Sequence, residues 1–199
     1  MAAATRVALG SAFLRAIHLQ EAAAPAYPPP MSTDAIEIRL ARPDDAHAIA
    51  DVHDVAWRYA YRGVIPGREL ERLVERRGAK WWRYAIDRKT RIVVMSFGGV
   101  IAGYATYGRN RAVGLPYQGE IFELYLRPEY QGIGLGKRLF NAVRRDLNGH
   151  DVKGMVVWAL ADNVRACDFY RRLGGESVDS MVERFGEVKL QKIAFAWGA

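Results

Sequence analysis

The chain runs to 199 residues, half of them apolar, which is enough for one well-buried α/β domain and too little for two ordinary ones. A single cysteine, Cys167, excludes an internal disulfide framework and fits a reducing cytoplasm, and no apolar run approaches the roughly 18 residues that span a bilayer, so no membrane partner is expected. The formal charge of +7 keeps acidic partners in play, nucleic acid among them.

Residues 1–30, MAAATRVALGSAFLRAIHLQEAAAPAYPPP, are rich in alanine and close on Pro28, Pro29 and Pro30, a stiff extended boundary. They read as an extension outside the fold, leaving residues 31–199 as a single domain. Arg15 and His18 interrupt the apolar VALGSAFL, and the basic region before it is thin, which argues against a secretory signal. IEIRLA is a first strand. Pro43 opens an amphipathic helix with Ile49, Val52, Ala56 and Tyr59 on one side, and Pro66 opens a second with Leu70, Leu73 and Val74. In RELERLVERRGAKWWRYAIDRKTR, Leu70, Leu73, Trp81 and Trp82 read as the apolar face of an otherwise solvated helix. RIVVMSF and VIAGYATYG form a hairpin through Gly98-Gly99. EIFELYL, GMVVWAL, ESVDSMVERF and EVKLQKIAFAW supply four more strands, the last two broken at Gly186. The fold class is therefore α/β, of the α+β kind: a mixed, mostly antiparallel seven-stranded sheet with flanking helices. A helical crossover between EIFELYL and GMVVWAL makes those two strands parallel.

That crossover begins with EYQGIGLGKRLF. Gly132, Gly134 and Gly136 let a ligand come close to backbone N–H groups, and Leu135, Leu139 and Val143 then mark a helix whose N-terminus attracts phosphate. Two familiar phosphate loops do not fit. A P-loop ending at Gly136-Lys137 requires glycine where Gln131 stands and Ser or Thr where Arg138 stands. A dinucleotide G-x-G-x-x-G requires glycine at Lys137 or at Leu139. What remains is Q-x-x-G-x-G, from Gln131 to Gly136, directly after a strand.

The segment GEIFELYLRPEYQGIGLGKRLF resembles the acetyl-coenzyme A binding core of the GNAT superfamily of N-acetyltransferases, and the downstream GMVVWAL and ADNVRACDFYRRLGG are similar to its second signature. WRYAYRGVIPGREL is similar to a segment of many bacterial members, so the resemblance covers roughly residues 36–197. It implies that the strands EIFELYL and GMVVWAL splay apart and admit the pantetheine arm. Carried over, the backbones of Leu124, Tyr125 and Leu126 bond the pantetheine, N–H groups from Gln131 through Gly132, Ile133, Gly134, Leu135 and Gly136 to Lys137 cradle the pyrophosphate, and Asn163 bonds the arm. Lys137 and Arg138 are equally well read as a solvated helix face.

The implied reaction transfers acetyl from acetyl-CoA, as cosubstrate, to a primary amine of a small molecule or protein by direct attack in a ternary complex. A lysine-type amine has a pKa of about 10.4, so at pH 7 roughly one molecule in 2,500 is the free nucleophile and a base has to take its proton. Glu120 and Glu123 are the candidates, with Glu120 favoured by its place in the resembling family. Strand alternation puts them on opposite faces, so one alone faces the cleft. Tyr170, seven residues after Asn163 and hence on the same helix face, is the candidate acid beside the departing thiol. Its help is modest, since a thiol of pKa about 8.5 already leaves readily. Each of these residues also has a plain structural reading: a strand-end carboxylate, a core tyrosine.

Cys167 lies four residues after Asn163, but no histidine pairs with it, and His18, His47, His53 and His150 have no metal-ligand spacing; no metal is predicted. Trp57, Tyr59, Tyr61 and Tyr104 are candidates for an aromatic acceptor pocket, bounded by residues 57–70 and by the hairpin at Phe185 and Gly186. The last two strands are also candidates for pairing across a homodimer. Two competing readings use the same residues: a protein that binds acetyl-CoA without catalysis, and a basic nucleic-acid module. Glutamates interrupt the Arg- and Trp-rich segment that suggests the latter, so nucleic acid is not expected as partner.

Overall fold

The structure is a computed structural model that describes residues 36–112 and 114–198. The expected boundary at residue 30 lies outside them. Seven strands form one sheet: β1 (Ile36–Leu40), β2 (Ile92–Phe97), β3 (Val100–Arg109), β4 (Gly119–Leu126), β5 (Met155–Leu160), β6 (Glu176–Phe185) and β7 (Val188–Trp197). Their order is β1-β2-β3-β4-β5-β7-β6, with β4–β5 the one parallel pair among the described strands. The β2–β3 hairpin turns at Gly98 and Gly99, whose φ values of 57° and 82° suit glycine and give the twist that a two-residue hairpin needs.

Both faces of the sheet are covered, which is why β2 reads as a continuous apolar run. Val93 and Met95 point to a core shared with Ala105, Tyr107, Ile121 and two helices, α4 (Leu135–Gly149) and α5 (Val164–Arg172). Ile92 and Val94 point the other way, with Tyr104, onto α1 (Ala46–Tyr61) and α3 (Ala79–Asp87). Between these lies α2 (Gly67–Glu75), whose Leu70 and Val74 pack with Tyr61, Ile65, Leu160 and Phe185.

The segment expected as one solvated helix from Arg68 onward is thus two. Gly78, extended at ψ 173°, separates α2 from α3. The break turns the paired tryptophans to different fates: Trp82 is fully buried, while Trp81 is outward with the Arg77 guanidinium 3.9 Å above its ring.

Two irregularities shape the middle of the sheet. First, β4 and β5 pair only over Gly119–Met155, Glu120–Val156 and Ile121–Val157; beyond that β4 stays with β3 to Leu126, and β5 with β7 to Leu160. The expected splay is therefore present. Second, Thr106 pairs with Glu123 while Tyr107 pairs with Ile121, so Phe122 is an extra residue in β4, a β-bulge.

Candidate active site

The gap opened by the splay is lined on the β4 side by backbone groups. Arg127 N–H donates to Ala102 O at 2.9 Å, and the two-residue alternation of an antiparallel ladder then turns the Tyr125 amide toward β3 as well. Leu124 and Leu126 are left with their amides facing the gap. Gln131 Nε2 donates to Leu126 O at 3.0 Å, tying the following loop to the strand end. Of the three residues expected to bond pantetheine through their backbones, Tyr125 pairs with Tyr104 of β3, and Leu124 and Leu126 present their amides to the gap.

The loop itself is a set of outward N–H groups. Gln131 N–H closes a turn onto Pro128 O at 3.2 Å, and Arg138 N–H makes the first helical bond, to Gly134 O at 3.3 Å. Among the described residues, no acceptor meets the N–H groups of Gly132, Ile133, Gly134, Leu135, Gly136 or Lys137. Gln131 N–H, engaged in its turn, is therefore not one of these unpaired groups. Gly132 and Gly134 are left-handed, at φ 80° and 87°, and a side chain at either would strain the backbone. Gly136 serves packing instead: a Cβ there would stand 3.2 Å from the Phe169 ring, so its absence lets α4 lie close against α5.

The bulge at Phe122 resets the alternation in β4. Ile121 faces α4, so Glu120 and Phe122 face the other side, and the extra residue brings Glu123 to that side too. The two carboxylates nevertheless differ. Glu120 is consumed by Arg111, whose backbone N–H, Nε and Nη2 all donate to it, at 2.9, 3.2 and 2.8 Å. The same guanidinium lies 3.8 Å over Phe122. Glu123 is held more loosely, with Arg77 Nη1 3.3 Å from Oε1 and the Tyr104 hydroxyl 3.3 Å from Oε2. Burial raises the Glu123 carboxyl above its usual range, against the pull of Arg77 and the hydrogen bond from Tyr104. A partly desolvated carboxylate with spare acceptor capacity is what a general base requires.

Around Glu123 stands an aromatic wall. Trp57 packs against His53 and Tyr61, with ring centroids 4.9 and 5.1 Å apart, and Tyr61 and Tyr125 share a hydrogen bond of 2.8 Å between hydroxyls. Burial pushes Tyr61, Tyr104 and Tyr125 upward, so all three remain protonated. Of the four aromatics expected here, Trp57, Tyr61 and Tyr104 converge; Tyr59 does not, being 49 % exposed and bonded to Arg165 of α5. The loop joining α1 to α2 borders a cavity of about 430 Å³ lined by Arg58, Arg62, Val64, Ile65, Pro66 and Leu70, among others. His53, Arg77 and Arg111 were not expected as neighbours of the site. His53 had a signal, since it sits four residues after Ile49 on the apolar side of α1; the two arginines had none.

Asn163 differs from expectation in one respect. It is the N-cap of α5 rather than a helical residue: its Oδ1 accepts from Ala166 N–H at 3.2 Å, and its side-chain amide faces the Tyr61 hydroxyl. Tyr170 is 6 % exposed among Phe140, Phe169, Phe195 and Trp197, and burial raises its hydroxyl. Cys167 is buried, its thiol pushed up by burial and within 3.5 Å of Leu160 O. No group of three His, Cys, Asp or Glu side chains among the described residues is arranged to hold a metal ion, and no described helix is long and apolar enough to cross a membrane.

Comparison with known proteins gives consistent results. Residues 49–175 match the Acetyltransferase (GNAT) family. An uncharacterized N-acetyltransferase of Bacillus subtilis is 28% identical over 162 residues, covering 81% of this chain and 92% of its own. The PaiA N-acetyltransferase of Thermoplasma acidophilum, solved with coenzyme A, superposes with a TM-score of 0.69 at 18% identity, over 82% of this chain and 99% of that one. The yncA protein of Salmonella typhimurium, solved with acetyl-CoA, gives a TM-score of 0.60 at 22% identity, over 82% and 94%.

Proposed function

The chain belongs to the acetyltransferase (GNAT) family, and on that premise we propose that it transfers the acetyl group of acetyl-CoA to a primary amine by direct attack in a ternary complex. The observation that carries the proposal is a coincidence of unsatisfied backbone groups. Six consecutive N–H groups, Gly132 to Lys137, gather at the α4 N-terminus, where the helix dipole favours an anion, and the strand edge presenting the Leu124 and Leu126 amides leads away from them into the gap. The first set suits a pyrophosphate and the second the amides of pantetheine.

Bound there, acetyl-CoA supplies an acyl carbon activated as a thioester. The chain supplies the proton handling. Glu123 receives the proton of the incoming amine, and its raised pKa narrows the gap to the pKa of about 10.4 of the ammonium it has to discharge. Glu120, neutralised by Arg111, holds the loop after β3 in place instead. Tyr170, kept protonated by burial, donates toward the departing sulfur. The acceptor lies on the α1 side of the sheet, bounded by the loop between α1 and α2.

The test is calorimetric titration with acetyl-CoA of the wild type and of Gly134→Glu, which puts bulk and negative charge into the cradle. Binding by the wild type and its loss in the folded variant support the site, and thiol release over a panel of amines then tests turnover. A wild type that does not bind acetyl-CoA overturns the proposal.

A further inference from the structure

Three buried polar atoms lack a hydrogen-bond partner among the described residues: Nε2 of His53, Nε1 of Trp57 and Nε1 of Trp82. They surround a hydrogen-bonded chain that ends on Glu123 and whose other two members, His53 and Tyr104, have no part in the acetyl transfer described above. His53 Nδ1 lies 2.7 Å from the Tyr104 hydroxyl, and that hydroxyl lies 3.3 Å from Glu123 Oε2. The three residues come from α1, β3 and β4, so the contact depends on the helix being seated on the bulged strand pair.

A phenol has one proton to give and cannot donate to both neighbours. An ionised carboxylate only accepts, so opposite it Tyr104 donates to Glu123, and His53 then carries its hydrogen on Nδ1 and donates to the Tyr104 oxygen. Were Glu123 protonated, the chain would run the other way, from carboxyl to phenol to a bare Nδ1. Nothing competes for the second arrangement: no acceptor stands at Nε2 to hold a hydrogen there, and the surroundings are the rings of Trp57 and Trp82, with centroids 4.9 and 5.7 Å away. His53 is 1 % exposed, and burial, helped by Arg77, pushes it down to about 3, so it is a neutral partner throughout the working range.

We propose that His53 and Tyr104 are positioning residues for Glu123, with His53, as its Nδ1–H tautomer, turning the single hydroxyl proton of Tyr104 onto the carboxylate. The proposal rests on the reading of Glu123 as the proton acceptor. The other groups facing Glu123 are Arg77 between α2 and α3, Arg111 after β3, Thr106 on β3, Tyr125 on β4 and Tyr61 on α1. The two guanidinium groups only donate, so neither can reverse its hydrogen-bond direction. The donor direction along His53–Tyr104 is the part of the surroundings that responds to the charge on Glu123.

The experiment needs no acceptor. Nitrogen-15 correlation spectra of the full chain read the His53 tautomer directly, and the carbon-13 shift of the Glu123 carboxyl reads its titration. The wild type is expected to show neutral, Nδ1-protonated His53 wherever Glu123 is ionised. Tyr104→Phe removes the hydrogen bond that favours the charged carboxylate and moves the Glu123 titration upward by about one unit, while His53→Leu, which leaves the phenol donating but without the Nδ1–H behind it, moves it upward by less. His53→Asn, whose side-chain nitrogen falls where Nδ1 was, restores it. An Nε2-protonated His53 beside ionised Glu123, or an unmoved titration in Tyr104→Phe, overturns the proposal; both measurements stand even if His53→Leu does not fold. Glu123→Gln, assayed separately by thiol release, addresses the premise. Full activity there removes Glu123 as proton acceptor and leaves the hydrogen-bonded chain to be judged on its own spectra.

Discussion

Glu120 and Glu123 stand on the same face of β4, although three positions separate them and a regular strand would set them on opposite faces. Phe122, the extra residue of the bulge, accounts for the change. Their roles are then divided by their partners: Arg111 saturates Glu120, whereas Glu123 has one arginine at 3.3 Å and one phenol. Glu123→Gln is expected to lower kcat by about a hundredfold or more while leaving acetyl-CoA affinity unchanged. Glu120→Gln is expected to keep turnover and cost about 1 kcal/mol of stability, a modest figure because Arg111 is well exposed. The reverse pattern, with Glu120→Gln inactive and Glu123→Gln active, would exchange the two roles.

Burial of Glu123 also has a stability signature. Its folded pKa is raised above the usual 4.5, so between the two values the folded chain binds a proton that the unfolded chain lacks. Stability contributed by this group is therefore complete below 4.5 and declines as pH rises through the folded pKa. Glu123→Gln removes the decline. Its gain in Tm over the wild type should be larger at pH 8 than at pH 4, and an equal gain at both, by calorimetry, would refute the assignment.

Gly136 is required by packing rather than by backbone freedom. Gly136→Val drives its side chain into the Phe169 ring and Leu126 Cδ1, which a β-carbon alone would approach to 3.2 and 3.4 Å. We expect a loss of about 1–3 kcal/mol in chemical denaturation, partly recovered by Phe169→Leu in the same chain. No recovery would show that the two residues do not oppose each other.

Tyr170→Phe should slow turnover several-fold without abolishing it, because the departing thiol, with a pKa of about 8.5, needs only assistance. The variant retains the ring that packs against Phe140, Phe195 and Trp197, so folding is preserved. An unchanged kcat would remove the hydroxyl from the reaction.

The strand and helix framework was legible because hydrophobic period and glycine turns are local signals: the Gly98-Gly99 hairpin and the helix carrying Leu135, Leu139 and Val143 lie where their patterns predicted. The glycine loop was legible for the same reason. The roles of Glu120 and Glu123 were not, since a bulge is created by register against β3, and nothing within GEIFELYL announces Phe122 as the extra residue. Arg77 and Arg111 reach the site from a helix break and a loop, positions fixed only by tertiary packing. Asn163 moved from helix to cap by a single residue, the ordinary uncertainty of a helix start.

The short parallel joint between β4 and β5 has a consequence for how the molecule comes apart. On one side of it lie β1 to β4, on the other β5 to β7, each assembled from antiparallel neighbours; three ladder pairs, the hydrogen bonds of Gln118 and Gly119 to Lys153 and Gly154 just before them, and the α4 crossover stitch the two ribbons along the sheet. Hairpins close early because little chain entropy is lost in forming them, while the joint has to wait for a crossover of some thirty residues. Amides of the strand segments that meet at the seam, Gly119–Ile121 and Met155–Val157, should accordingly gain protection after those of the β2–β3 and β6–β7 hairpins during refolding. In the binding mode proposed above, a thioester cosubstrate in the gap would touch both ribbons, and its addition is expected to slow their separation as well as present the acyl group.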